Sequence, residues 1–166
     1  MDYRLRTLEQ AELYHFPLDG SAQSSLQKSF DSLIPDAAHI EKNINVEILG
    51  RDIPALAVCD DIAWFDFYDL CDGPRSQNDY IELGRLFHAV LISNVPVMGT
   101  KNDDLARRYI NLIDEFYDRG VKVIMSADAE IHNIYGNGRL EFEFQRTTSR
   151  MLEMQSHEYL AREHKA

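Results

Sequence analysis

Only two cysteines occur in the 166 residues, Cys59 and Cys71, and they follow no repeated spacing. That excludes a disulfide framework and reads as reduced thiols in a cytosolic or matrix-like compartment. No apolar run approaches the roughly 20 residues that a membrane span needs, and the opening MDYRLRTLEQ has no apolar signal core. The six histidines, His15, His39, His88, His132, His157 and His164, never pair at helical spacing, and no Cys-x-x-Cys occurs. A metal-binding pattern is therefore missing. So are the Gly-x-Ser-x-Gly elbow and the Gly-x-x-x-x-Gly-Lys-Ser/Thr phosphate loop, while Gly136-Asn137-Gly138 is too short for a dinucleotide fingerprint.

Positive charge is also scarce. Residues 1–83 hold 6 Lys/Arg against 16 Asp/Glu, a balance of −10; residues 84–166 hold 11 against 12, a balance of −1. An acidic front half repels phosphate backbones, which excludes a general nucleic-acid clamp. The hydrophobic share of 45% is enough for a packed core, and the length suits one domain, or one with a small appendage.

The most legible stretch runs from Asp79 to Ala127 and reads helix, strand, helix, strand. The run Ala89-Val90-Leu91-Ile92 shows no alternation, as expected of a strand covered on both faces, and Asn94 to Val97 closes it. Asn102 or Asp103 offers a helix start. Tyr109, Ile110, Ile113, Phe116 and Tyr117 form one helical face, Gly120 stops it, and Val121 to Met125 is a second buried strand. Two such strands joined by a helix are expected to lie parallel. Leu112-Ile113-Asp114-Glu115 imitates the magnesium-holding strand end of nucleotide hydrolases, but the residues ahead of it have helical period. Asp114 and Glu115 therefore read as a solvated helix face.

Elsewhere, Met1 to Leu8 alternates like a half-exposed strand that needs a neighbour. Asp19 to Leu33 reads as a helix ended by Pro35, and Ile44 to Phe67 as a β region with turns at Gly50-Arg51-Asp52 and Asp60-Asp61. Trp64, Phe65 and Phe67 read as core aromatics. A helix is expected over about Asn78 to Phe87, a short one over Glu130 to Tyr135, and a last one capped by Thr147 or Thr148 and continuing through Leu160. The fold class is α/β: a small mixed sheet with a parallel βαβ unit flanked by helices, plus a β-rich N-terminal segment.

Arginines at helix starts are the remaining candidates for chemistry: Arg75, Arg146 and Arg150. A guanidinium beside unpaired helix amides suits an anionic oxygen. In so acidic a chain, pairing with Asp or Glu is the commoner role, and spacing alone favours it. Asp60, Asp61, Asp66 and Asp69 with Cys71 could hold a divalent cation if they shared a face; solvated carboxylates are the plainer reading, which makes a small independent enzyme the weakest interpretation.

Five segments, DYRLRTL, LC-x-x-PRSQNDYIELGRLFHAV, VPVM, ARRYINLIDEFYDRGVKVIMSA and FEFQRTTSRMLEMQSHEYL, resemble in that order the C-terminal part of ZapE-like AAA+ ATPases. These are bacterial cell-division proteins whose relatives include the lactation-elevated type of mitochondrial ATPase. The resemblance is weakest between Asp36 and Asp60. It implies that residues 1–35 continue an ATPase core absent from this sequence, and that residues 36–166 form a C-terminal α/β domain ending in a lid-type helix. It also implies a second-sensor role for Arg150, with Arg146 less favoured, reaching toward an ATP γ-phosphate. ATP and magnesium would belong to the parent protein, with none bound by this chain alone, and no catalytic set is complete within it. The implied partner is the division-ring protein FtsZ and the implied location cytoplasmic. Apolar surface near Asp2 to Leu8 would favour some self-association. The contrasting interpretation is a stand-alone protein-interaction module with no nucleotide dependence.

Overall fold

The computed structural model describes residues 3–36 and 38–166. Its centre is a six-stranded mixed sheet in the order β1-β6-β5-β4-β3-β2. The strands are β1 (Tyr14–His15), β2 (Glu41–Ile48), β3 (Arg51–Cys59), β4 (Ile62–Asp66), β5 (Ala89–Val95) and β6 (Lys122–Ala127). Strands β4, β5, β6 and β1 run parallel, while β2 and β3 join as an antiparallel meander onto β4.

The absence of alternation in β4, β5 and β6 has a direct cause: both faces of the sheet are covered. Ala63, Phe65, Val90, Ile92, Val123 and Met125 point into one core cluster; Ile62, Trp64, Ala89, Leu91 and Ile124 point into the other. The first cluster lies under α3 (Phe67–Cys71), α4 (Gln77–Leu86), α5 (Asp103–Arg119) and α6 (Glu141–Glu153). The second lies under α1 (Tyr3–Gln10), α2 (Ala22–Leu33) and α7 (His157–Leu160). Continuous apolar strands are what such double coverage selects. Trp64 is buried, and its Nε1 donates to Ser93 Oγ at 2.8 Å, so the ring is a core residue with its one polar atom satisfied.

Helix α5 carries its apolar stripe as expected, with Tyr109, Ile110, Ile113 and Phe116 buried. Gly120 ends it in the left-handed region at φ +68°, the conformation glycine adopts without a Cβ penalty. Both β4–α4–β5 and β5–α5–β6 are parallel units, so the strand-helix-strand reading of Asp79 to Ala127 holds throughout. Among the described residues, no helix is long and apolar enough to cross a membrane.

Four expectations need correction. Tyr3–Gln10 is a helix, not a strand, whereas Met1 and Asp2 lie outside the described residues. Leu5 and Leu8, three apart, pack toward the second cluster, and Arg4 turns away to bind Asp61; alternation over so short a run fits either period. The β2–β3 turn is centred on Leu49-Gly50, both at positive φ, with Arg51 already in β3. The last long helix begins at Glu141 and not at Thr147, because Leu140, Phe144, Thr147, Met151 and Met154 form one buried stripe in which the threonine occupies a core position. The helical run breaks after Glu153 and resumes as α7, capped by Ser156, whose Oγ accepts from Tyr159 N.

Candidate functional site

Moving the start of α6 back to Glu141 changes the setting of two of the three candidate arginines. Arg146 and Arg150 stand four residues apart within the helix body, on one face, directed at α5. There they share one carboxylate. Arg146 Nη2 lies 3.2 Å from Asp114 Oδ2, and Arg150 Nη1 binds Asp114 Oδ1. Each guanidinium thus takes one oxygen of Asp114, which bridges them.

The two arginines differ in how they are held. Arg146 is 63% exposed and its described bond is that single contact with Asp114, whereas Arg150 is 24% exposed. The Arg150 guanidinium also sits 5.0 Å from the centroid of the Tyr117 ring, a cation–π contact, and Arg162 approaches the same ring at 5.2 Å. Tyr117 donates its hydroxyl to Glu153, and that bond raises the phenol's pKa above its usual range. Both signs therefore interleave along this strip: Arg146 and Arg150 flank Asp114, and Arg150 and Arg162 flank the Tyr117 ring, whose hydroxyl meets Glu153.

Asp114 is consequently no solvated carboxylate. Its side chain is 20% exposed and doubly paired, while its neighbour Glu115 accepts from Gln77 Nε2 at 2.7 Å. The pairing of Arg146 and Arg150 with an acid is the role that spacing alone favours. It leaves each guanidinium partly in solvent, in a bridge of the strength expected at a surface.

Arg75 lies elsewhere. Its Nε donates to the Asp69 carbonyl at 3.0 Å, and it stands just ahead of α4, whose first turn is closed by Ser76 and the buried Asp79. Asp79 also takes Arg51 Nη1 at 2.6 Å. Arg75 shares no partner with Arg146 or Arg150 among the described residues, so the structure brings two of the three arginines together and leaves the third apart.

The carboxylates around β4 disperse. Asp61 takes both terminal nitrogens of Arg4, and Asp66 caps α3 and accepts from Asn94 Nδ2 at 2.7 Å. Asp69 is partly buried, and that burial, with Asp66 nearby, raises its pKa. Among the described residues, no group of three or more His, Cys, Asp or Glu side chains is placed to hold a metal ion. Cys71 is fully buried and its thiol is pushed up to about 12 by that burial, which leaves it protonated and unreactive at neutral pH.

A cleft of about 960 Å³ opens between α1 and α2 and is lined in part by Arg6, His15, Ser21, Ser25 and Lys28. His15 there has both ring nitrogens engaged, Nδ1 with Glu12 at 2.6 Å and Nε2 with Asp19 at 3.4 Å and Ser21 at 3.2 Å. The Glu12 bond raises its pKa, and Ser21 Oγ donates to Asp19 Oδ1 at 2.7 Å.

The family profile described as AFG1-like ATPase matches residues 1–163, and the chain belongs to that family. More particularly, the chain is 45% identical over all 166 residues to the cell division protein ZapE of Escherichia coli K12, covering 44% of that relative. It is 29% identical to lactation elevated protein 1 homolog B of Danio rerio, over 96% of this chain and 38% of that one. The chain thus spans less than half the length of the relatives it matches. No solved structure matches it.

Proposed function

We propose that this chain is the C-terminal, lid-side portion of a ZapE-like ATPase, contributing Arg150 to an ATP site built mainly by residues outside it. The observation that carries this reading is the pair of arginines one helical turn apart on α6, both tethered to a single part-exposed carboxylate. A guanidinium so placed is oriented by the Tyr117 ring and, in a part-exposed bridge, is held loosely enough to be redirected.

Bound ATP with magnesium would supply the phosphoryl chemistry. Arg150 would offer its fork to the phosphate oxygens and stabilise charge that develops as the bond breaks. Arg75 is a more remote candidate for the same anion, because its described bonds go to the neutral carbonyls of Asp69 and Pro74 and not to a carboxylate. This chain alone is not expected to hydrolyse ATP, since no Gly-x-x-x-x-Gly-Lys-Ser/Thr loop occurs in its sequence.

The same reading makes the protein a cytoplasmic component of cell division that couples ATP hydrolysis to an FtsZ-type partner; the name of the ZapE relative supports the cell-division part alone. Self-association through exposed apolar residues such as Tyr3 and Phe142 belongs to the proposal as well. The testing experiment is ATP hydrolysis by a hybrid in which this chain replaces the matching portion of Escherichia coli ZapE, compared with the same hybrid carrying Arg150→Ala.

A further inference from the structure

We propose that Asp114 is a latch on Arg150 and that Arg146 is its exchange partner: when Arg150 leaves to bind a polyphosphate, Arg146 keeps Asp114 neutralised. The inference rests on the reading of Arg150 as a phosphate-binding arginine and adds to it the regulation of that arginine.

The geometry gives each arginine a different oxygen of the same carboxylate, Oδ2 for Arg146 and Oδ1 for Arg150. Losing one partner therefore does not strand the acid. Asp114 is only 20% exposed, and a carboxylate left with no partner in such a place would carry a desolvation penalty. With Arg146 in position, that penalty is avoided when Arg150 departs. Arg146 itself is 63% exposed and, among the described residues, has no second contact comparable to the Tyr117 ring, so it can follow the carboxylate without giving up packing. The two arginines are thus assigned different roles: Arg150 is the phosphate ligand, and Arg146 is a positioning residue that acts through Asp114.

This division predicts a pattern that simple removal of negative charge does not. With Asp114 present, Arg146→Gln should weaken phosphate binding, because Asp114 then holds Arg150 as its one remaining partner. With Asp114→Asn already made, Arg146→Gln should have little effect. A direct phosphate ligand would be missed equally in both backgrounds.

The test uses this chain at low ionic strength, where surface electrostatics are least screened, with inorganic tripolyphosphate as the probe. Binding is followed by NMR through the Arg side-chain Nε–Hε signals, and the backbone amide spectrum confirms that each variant is folded. Asp114→Asn is expected to tighten binding by about 5-fold or more, the lower end of ordinary coupling between sites. Adding Arg150→Gln should abolish that gain. Arg146→Gln should loosen binding about 3-fold or more with Asp114 present and less than about 2-fold with Asp114→Asn, a non-additivity typical of residues in one ion-pair network. If Asp114→Asn leaves the affinity unchanged or lowers it, the latch is overturned. If Arg146→Gln weakens binding equally in both backgrounds, its role as exchange partner is overturned and it is a ligand. Failure of the parent reading looks different: the latch pattern would persist in this chain, while ATP turnover by the ZapE hybrid would ignore Arg150→Ala.

Discussion

Gly120 joins α5, which carries Asp114, to β6, and replacing it with alanine probes how tightly the C-terminal tail secures that junction. The residue has φ +68°, where a non-glycine residue costs about 1–2 kcal/mol. A Cβ there would also lie 2.5 Å from the Glu163 carbonyl oxygen, closer than any real contact, so the tail must move. That tail is tied by Lys165 N to the Arg119 carbonyl at 2.8 Å and by Lys122 Nζ to the Arg162 carbonyl at 2.7 Å. Weakening one of these bonds adds about 1 kcal/mol. Gly120→Ala is therefore expected to destabilise by about 2–3 kcal/mol, which for a chain of this size lowers Tm by about 5–10 °C. The assay is thermal denaturation followed by circular dichroism, with a second chain ending at Ala161 as control. In the shortened chain the clash is gone, and Gly120→Ala should cost only the backbone term of about 1–2 kcal/mol. A full-length Gly120→Ala protein melting within 2 °C of the parent, or an identical loss in both lengths, would refute the reasoning.

Two histidines set opposing pH dependences. Burial, reinforced by Arg4 and Lys122 and opposed by Asp61, pushes His88 down to about 4. Its folded pKa lies below the unfolded value of about 6.5, so its contribution is complete above that value and is lost as pH falls from there toward about 4. After discounting for partial exposure the loss is about 1 kcal/mol, and His88→Gln should flatten the melting temperature between pH 7 and pH 5. His157 behaves in the reverse sense: its bond to Glu9 at 2.9 Å, linking α7 to α1, raises its pKa. That stabilisation is present below about 6.5 and fades as pH rises through the raised value, so Glu9→Gln should remove a decline in Tm that sets in as pH rises above about 6.5.

The parts of this fold that were legible in the sequence are those where a single segment carries its own evidence. Ala89 to Ile92 has no polar residue to mark a solvent face, and Gly120 closes a stripe running from Tyr109 through Phe116; both features are local and both are as observed. The opening helix was misread because Tyr3, Arg4, Leu5 and Arg6 alternate for one turn only, and the deciding contact, Arg4 with Asp61, spans 57 residues. Thr147 misled for a different reason. Threonine is a good helix cap, but between Phe144 and Met151 it falls on the buried stripe, and reading that stripe backward from Met151 through Phe144 to Leu140 would have found the true start.

The candidate site was half legible. The four-residue spacing of Arg146 and Arg150 is written in the sequence, and it puts both on one helix face. Their common partner is not, since Asp114 lies 32 and 36 residues away on another helix. The apolar Leu112 and Ile113 ahead of it made Asp114 resemble a metal-binding strand end, when it is the charged edge of a buried helical stripe.

The most direct measurement of the central claim is steady-state ATP hydrolysis by the ZapE hybrid containing this chain, with and without Arg150→Ala. If Arg150 stabilises charge on the transferring phosphoryl group, kcat falls by about 100-fold or more, as when a single preorganised donor is removed, while KM changes far less. A kcat within about 3-fold of the parent hybrid, in a variant with an unaltered melting temperature, would contradict the account and leave the chain as an interaction module whose arginines serve only to hold α6 against α5.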